Sequence, residues 1–140
     1  KNPIASASIS QVHKAILKNG EKVAVKVQRP NVKKIMETDI ELMHYFAKLL
    51  ENNIEKLRLL NPVKIVNEFK EWTEKELDFR LEARNAKRFY QNFKGSKTVH
   101  IPKVYDDLTT EKILTLEFID GIELHNINQI KKRSILIVIR

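Results

Sequence analysis

Three segments carry side chains suited to phosphate chemistry. The first centres on Lys26, in the run Val23-Ala-Val-Lys-Val27. Taken alone, a lysine between two valines is the solvent-facing member of a half-buried strand, since most lysines are exposed. The alternative is a strand lysine that holds the α- and β-phosphates of a nucleotide. The second segment is Lys75-Glu-Leu-Asp-Phe-Arg-Leu-Glu-Ala83, in which Asp78 and Glu82 stand at i and i+4. That spacing puts both carboxylates on one helix face, where like charges repel unless a cation lies between them. Lys26, a Mg²⁺ ion, or Arg80 and Arg84 would serve; otherwise these are surface acids screened by neighbouring arginines. The third segment is the opening loop, Pro3 to His13, which offers Ala5, Ser6, Ala7 and Ser8 but no glycine. Its backbone N–H groups can approach a phosphate, less freely than glycine would allow because a Cβ restricts φ. Without a ligand it is an ordinary Ser/Ala loop.

Other chemistries find little support. The chain has no cysteine, which excludes disulfides, thiolate metal sites and a cysteine nucleophile. His13, His44, His100 and His125 are scattered without metal-ligand spacing. No Ser-His-Asp arrangement or GxSxG elbow is present. The balance of 26 Lys+Arg against 18 Asp+Glu gives +8. The basic residues are interleaved with acids, as a solvated helix face requires, and no nucleic-acid motif accompanies the charge. Attraction to anionic lipid fits the balance better than nucleic-acid binding does.

The elements that must position these groups follow from periodicity. The chain has 140 residues, 42% of them hydrophobic, enough for one domain with a packed core. Its longest apolar run, Ile135 to Ile139, is far too short for a membrane-spanning helix. Residues 9 to 28 read as an antiparallel hairpin: apolar positions lead to Asn19-Gly20, a strong hairpin signal with positive φ expected at both residues. The return strand alternates around Val23, Val25 and Val27. After Pro30 the period becomes helical, with Ile35, Ile40, Met43, Phe46, Leu50, Ile54 and Leu57 recurring every three or four residues. This stripe is expected to face a core. Asn61-Pro62 restarts the chain as N-cap and N1. A second long helix is expected from Val63 to about Phe93, stopped by Gly95. Two further strands are expected, in Val99-His-Ile-Pro-Lys-Val-Tyr-Asp-Asp-Leu108 and Lys112-Ile-Leu-Thr-Leu-Glu-Phe-Ile-Asp120. The order predicts an α+β domain: a small antiparallel sheet with two long helices.

Together these segments resemble the UbiB/ADCK atypical, protein-kinase-like family. The resemblance rests on Pro3-Ile-Ala-Ser-Ala-Ser-Ile-Ser-Gln-Val-His13, Val23-Ala-Val-Lys-Val-Gln-Arg-Pro30, Glu76-Leu-Asp-Phe-Arg-Leu-Glu-Ala-Arg-Asn-Ala86 and Ile101-Pro-Lys-Val-Tyr105 through Leu114-Thr-Leu-Glu-Phe-Ile-Asp-Gly121. They run in family order, with an alanine-rich loop where most kinases have a glycine-rich one. The resemblance implies a kinase-like N-lobe over residues 1–124, with residues 125–140 a tail leading to a C-lobe. It implies that Ala5, Ser6, Ala7 and Ser8 lie over the phosphates of ATP or ADP and that Lys26 holds those phosphates. Glu82 would be the ion-pair partner of Lys26. Glu76 and Asp78 would be a pocket-guarding pair, Leu116 the gatekeeper, and Glu117 to Ile119 the hinge facing adenine.

By the same resemblance, a KxGQ element would precede this chain. A catalytic loop and a metal-binding Asp would follow it, so the Mg²⁺ ligands and the general base are expected outside it, and the chain reads as a piece of something longer. The family implies support of ubiquinone or related isoprenoid-lipid metabolism at a mitochondrial, plastid or bacterial membrane, with isoprenoid-lipid biosynthesis proteins as partners. The competing reading is a catalytically inactive binding module that associates with a membrane or partner protein through its long helices. Exposure of the Ile35–Leu57 stripe would favour that reading.

Overall fold

The computed structural model describes residues 2–122. The expected tail of residues 125–140 lies outside them. Four strands form one antiparallel sheet in the order β1 (Ala5–Ser6), β2 (Ser10–Ile16), β3 (Lys22–Gln28), β4 (Ile113–Glu117). Between β3 and β4 run the helices α1 (Val32–Asn53), α2 (Glu55–Arg58), α3 (Pro62–Glu76) and α4 (Phe79–Asn92). The architecture is α+β, as the alternation of periods predicts.

The β2–β3 hairpin turns where Asn19-Gly20 places it, but by a different geometry. Only Gly20 has a positive φ, 88°. Gly20 N–H donates to the Leu17 carbonyl at 2.9 Å and Leu17 N–H donates to the Glu21 carbonyl at 2.8 Å. This is a three-residue loop ending in a left-handed glycine. The Asn19 side chain accepts from Glu21 N–H at 3.1 Å, a local bond that Asn makes readily in turns.

The helical stretches break more often than their periodicity predicts. The first ends at Asn53; Ile54 is extended and α2 follows as one short turn. Asn61 does precede α3, with Pro62 at its first position, but in a left-handed conformation and with no capping bond from its side chain. The expected helix from 63 to 93 is two helices. The chain breaks at Leu77-Asp78, where neither Gly nor Pro marks it. A local cap marks the break. Asp78 is extended and its carboxylate accepts from Arg80 N–H at 3.0 Å, capping a new helix. The break lets Leu77 and Phe79, two positions apart, both be buried. The strand expected between Val99 and Leu108 reduces to isolated bridge residues, Val99 and Val104, the latter paired with Leu116, followed by a 3-10 turn at Asp106–Leu108.

The core divides into two clusters. Phe79, Ala83, Val104 and Leu114 pack α4 on the sheet, with Ile9, Ala86 and Leu116 at the margin. Ile40, Ala47, Val66 and Val63 hold α1 against α3. Most of the expected apolar stripe is not core. Ile35, Met43, Phe46, Leu50 and Ile54 are exposed and only Ile40 is buried among the named members. The reason is geometric: α1 has a single packing partner of comparable length, α3, which covers one narrow face. Among the described residues, no helix is long and apolar enough to cross a membrane.

Candidate nucleotide-binding site

Strand register gathers the candidate residues. Ala5 pairs with Val12, Val12 with Lys26, and Lys26 with Leu114. Directly opposed residues in an antiparallel sheet share a face, with strands ~4.8 Å apart. Ala5 and Lys26 are therefore two strand spacings, about 10 Å, apart on the same face. The next row on that face holds Lys14, Ala24 and Leu116. The same face receives α4, because Leu114 is in the cluster with Phe79 and Ala83.

Glu82 leaves α4 toward Lys26. The Lys26 Nζ donates to Glu82 Oε2 at 2.7 Å and Oε1 at 3.0 Å. It also lies 4.8 Å from the centre of the Phe79 ring, within cation–π range. Phe79 is 1% exposed, so a rigid buried ring supports the ammonium. The pair itself keeps contact with water: the side chains of Lys26 and Glu82 are 27% and 45% exposed. An ammonium fixed in direction but open to solvent is placed to meet an incoming phosphate.

Asp78 and Glu82 do not share a cation. Glu82 pairs with Lys26, and Asp78 pairs with Arg80 at 2.8 Å from two guanidinium nitrogens. Asp78 is the N-cap of α4, outside its regular turns, so the i, i+4 face expected from the sequence does not form. Hydrogen bonding from the Arg80 side chain, then from its backbone, holds the Asp78 carboxyl below its ordinary 3.8. A depressed folded-state value means stability that is present above the unfolded value and is lost as pH falls through the folded one. Asp78→Ala is therefore expected to cost about 1 kcal/mol near neutral pH, the usual worth of a cap. That cost should shrink below about pH 4, which urea unfolding of both chains at neutral and acid pH would check. Glu76, the last residue of α3, is exposed.

The Ser/Ala loop joins β1 to β2. Ser6, Ala7 and Ser8 are exposed. Ala7 N–H donates to the Ser10 carbonyl at 2.9 Å. At the other end of the sheet, Glu117 terminates β4. Its carboxylate accepts from His100 Nε2 at 3.0 Å and from Lys103 N–H at 3.1 Å. Its own N–H donates to the Lys103 carbonyl, and Phe118 N–H donates to that of Lys22. Ile119 is half-buried just beyond.

Sequence reasoning missed several residues that build this arrangement. Gln28 shares the Lys26 face, and its amide donates to the Leu77 carbonyl at the helix break and to the Glu111 carbonyl at 3.3 Å. Phe79 N–H donates to the same Glu111 carbonyl at 3.0 Å. The start of α4, and with it Glu82, is thus tied to the lysine strand. Arg29 bonds to the Ser/Ala loop. Both residues stand in the quoted Val23–Pro30 motif, the one signal that pointed at them. Two grooves among the described residues lie away from the Lys26 ammonium, the second of them beside Asp78. One, about 130 Å³, is lined by Met36, Ile40, Thr73 and Leu77 among others; the second, about 470 Å³, lies along Arg80, Arg84, Lys87 and Asp106. The Lys26 site is an open sheet face beside α4. Among the described residues, no group of three or more His, Asp and Glu side chains is placed to hold a metal ion.

A four-stranded antiparallel sheet with a lysine on its third strand, paired with a glutamate on a helix packed against it, is the arrangement of a kinase-like N-lobe. The comparisons agree. The family model for the ABC1 atypical kinase-like domain matches residues 1–137, and the chain belongs to that family. It is 42% identical over 133 residues to the probable protein kinase UbiB of Aliivibrio fischeri strain ES114, covering 94% of this chain and 24% of that protein. To the probable protein kinase UbiB of Pseudomonas aeruginosa strain PAO1 it is 39% identical over 131 residues, covering 94% of this chain and 25% of that protein. The solved complex of Rv3197 with erythromycin, from Mycobacterium tuberculosis, superposes with a TM-score of 0.76 at 33% identity, over 92% of this chain and 32% of that one. The chain thus spans about a quarter of the length of the curated relatives it matches. The stripe on α1 is largely exposed, the condition that favours a binding module, but the family match is to a kinase-like domain and the comparisons lend that module no support.

Proposed function

We propose that this chain forms the nucleotide-binding face of an atypical kinase or ATPase and takes ATP or ADP across the sheet between the Ser/Ala loop and α4. The observation that carries this reading is the Lys26–Glu82 ion pair, with Nζ 2.7 Å from the carboxylate, on the same sheet face as Ala5 and Leu116. In this reading Lys26 donates to phosphate oxygens while Glu82 and the Phe79 ring fix its direction. The Ser/Ala loop, Ala5 to Ser8, lies over the phosphates. Leu116 lines the back of the adenine pocket, and the segment from Glu117 to Ile119 supplies backbone groups to the base. Glu76 and Asp78, at the α3–α4 break, guard the entrance. The metal that accompanies a nucleotide would neutralise phosphate charge.

On the family resemblance, the reading extends to service of the longer proteins in ubiquinone or related isoprenoid-lipid metabolism, in a membrane-associated setting. Titrating the 140-residue chain with ADP and ATP, with and without Mg²⁺, tests the nucleotide reading by calorimetry and thermal shift. Binding without turnover is the expected result. A ligand present at 100 times its Kd stabilises the fold by about 2.7 kcal/mol, so an unmoved melting temperature at millimolar nucleotide, with no calorimetric heat, overturns the reading.

A further inference from the structure

We propose that Arg29 is a positioning residue that fixes the Ser/Ala loop over the row carrying Lys26; this deepens the nucleotide-binding reading and rests on it. Arg29 is the first residue beyond β3, three positions after Lys26. Its backbone N–H donates to the Ile9 carbonyl at 2.9 Å. Its Nε donates to the Ala7 carbonyl at 3.0 Å and its Nη2 to Ser6 Oγ at 2.7 Å. Three donors of one residue thus reach the single turn that joins β1 to β2.

That turn has little else to hold it. β1 is two residues long, at the sheet edge, and exposed. So short a strand adds little order of its own. Beyond the ladder, the backbone bonds on the β1 side are Ile4 N–H to the Val12 carbonyl and Ala7 N–H to the Ser10 carbonyl. The side chains of Ser6, Ala7 and Ser8 do not anchor it by burial.

The choice of residue type matters. Arg29 makes no salt bridge among the described residues, and its guanidinium is instead directed at two neutral oxygens of the loop. A planar fork suits two acceptors set side by side, whereas an ammonium on a flexible stem acts as a point charge. Lys26 and Arg29 belong to one short stretch of chain. The distance between the ammonium and the loop is therefore set by β3, which carries Lys26 and runs directly into Arg29. A loop so held keeps its backbone N–H groups at a set height over the Lys26 row, where phosphate would lie. It does nothing for the base or the ribose.

This separation gives the test. ADP and, by competition, adenosine are titrated into the 140-residue chain, Arg29→Gln, Arg29→Lys, Ser6→Ala and the Arg29→Gln/Ser6→Ala double variant. Arg29→Gln is expected to weaken ADP about three- to tenfold, the worth of one or two hydrogen bonds, and to leave adenosine within about twofold. Arg29→Lys should behave like Arg29→Gln. Ser6→Ala should weaken ADP less, and should add nothing in the Arg29→Gln background. Amide exchange at Ala7 should quicken in both Arg29 variants.

Equal losses for ADP and adenosine would make the role merely structural and overturn the proposal. So would unchanged ADP affinity. Full rescue by lysine, or strict additivity with Ser6→Ala, would mean that the charge acts on phosphate directly, and would overturn it too. If the unaltered chain binds neither ligand, the nucleotide reading fails on its own. The brace is then decided by exchange alone: unchanged exchange at Ala7 in Arg29→Gln overturns it.

Discussion

Replacing Lys26 by methionine is expected to weaken ADP binding by about 100-fold while leaving the fold nearly as stable as before. The first half follows from the bonds lost. Charge-assisted hydrogen bonds are worth about 1.5–3 kcal/mol each. At the lower end of that range, two of them to phosphate oxygens come to about 3 kcal/mol, or roughly two powers of ten. The second half follows from exposure. Lys26 and Glu82 are open enough to water that losing the pair costs no more than an exposed salt bridge, ~0–1 kcal/mol. Glu82, left alone, rehydrates rather than remaining a buried charge. The methionine stem still lies along the Phe79 ring, and sulfur contacts with aromatic rings are favourable. Glu82→Gln keeps the ammonium but not its direction, so a smaller loss, about tenfold, is expected on the same scale. Calorimetric titration with ADP, beside urea unfolding of each variant, measures both halves. If Lys26→Met binds ADP as the unaltered chain does, the nucleotide does not use this face.

Legibility in the sequence tracked how much local physics decided each element. The β2–β3 hairpin was readable because alternation and Asn19-Gly20 act within a few residues. Its turn type was not, because the three-residue loop and the expected two-residue one both want glycine at the same place. The α3–α4 break was hidden because no Gly or Pro announces it. What decides it is the tertiary demand that Leu77 and Phe79 both be buried, with the Asp78 cap as the only local mark. The stretch around Val104 has strand-like composition, yet its backbone pairs with β4 only from Lys103 to Tyr105, around the one bridge from Val104 to Leu116.

The Lys26–Glu82 pair could be foreseen only by resemblance, since 56 residues separate its members and nothing in spacing couples them. Gln28 and Arg29 illustrate the remaining gap. Polar residues at a strand end follow no period, and their partners here are mostly backbone carbonyls, which leave no trace in composition.

Phe79 and Phe46 look alike in the sequence, each a member of an apolar stripe at helical spacing, yet their truncation is expected to differ several-fold in cost. Phe79 is 1% exposed and packs among Ala83, Val104 and Leu114 at the junction of α4 and the sheet. Removing a buried Phe side chain costs about 3–5 kcal/mol, a large share of the ~5–15 kcal/mol that stabilises a whole domain. Phe46 is 51% exposed on α1 and its edge-to-face contact is with Tyr45, itself exposed. Its truncation should cost under about 0.5 kcal/mol, as for ordinary surface positions. Urea midpoints of Phe79→Ala and Phe46→Ala make the comparison directly. Equal costs would mean that the stripe on α1 is core after all and that the packing described for it is wrong. The consequence for function runs through the same ring. Phe79 begins α4, its N–H bonds to the Glu111 carbonyl, and its face supports the Lys26 ammonium. Loss of the ring therefore loosens both members of the ion pair at once. Phe79→Leu separates these effects: it keeps most of the packing, costs about 1–2 kcal/mol, and removes the aromatic face. Weaker ADP binding by a still-folded Phe79→Leu chain would show that the ring acts on the lysine as well as on the core.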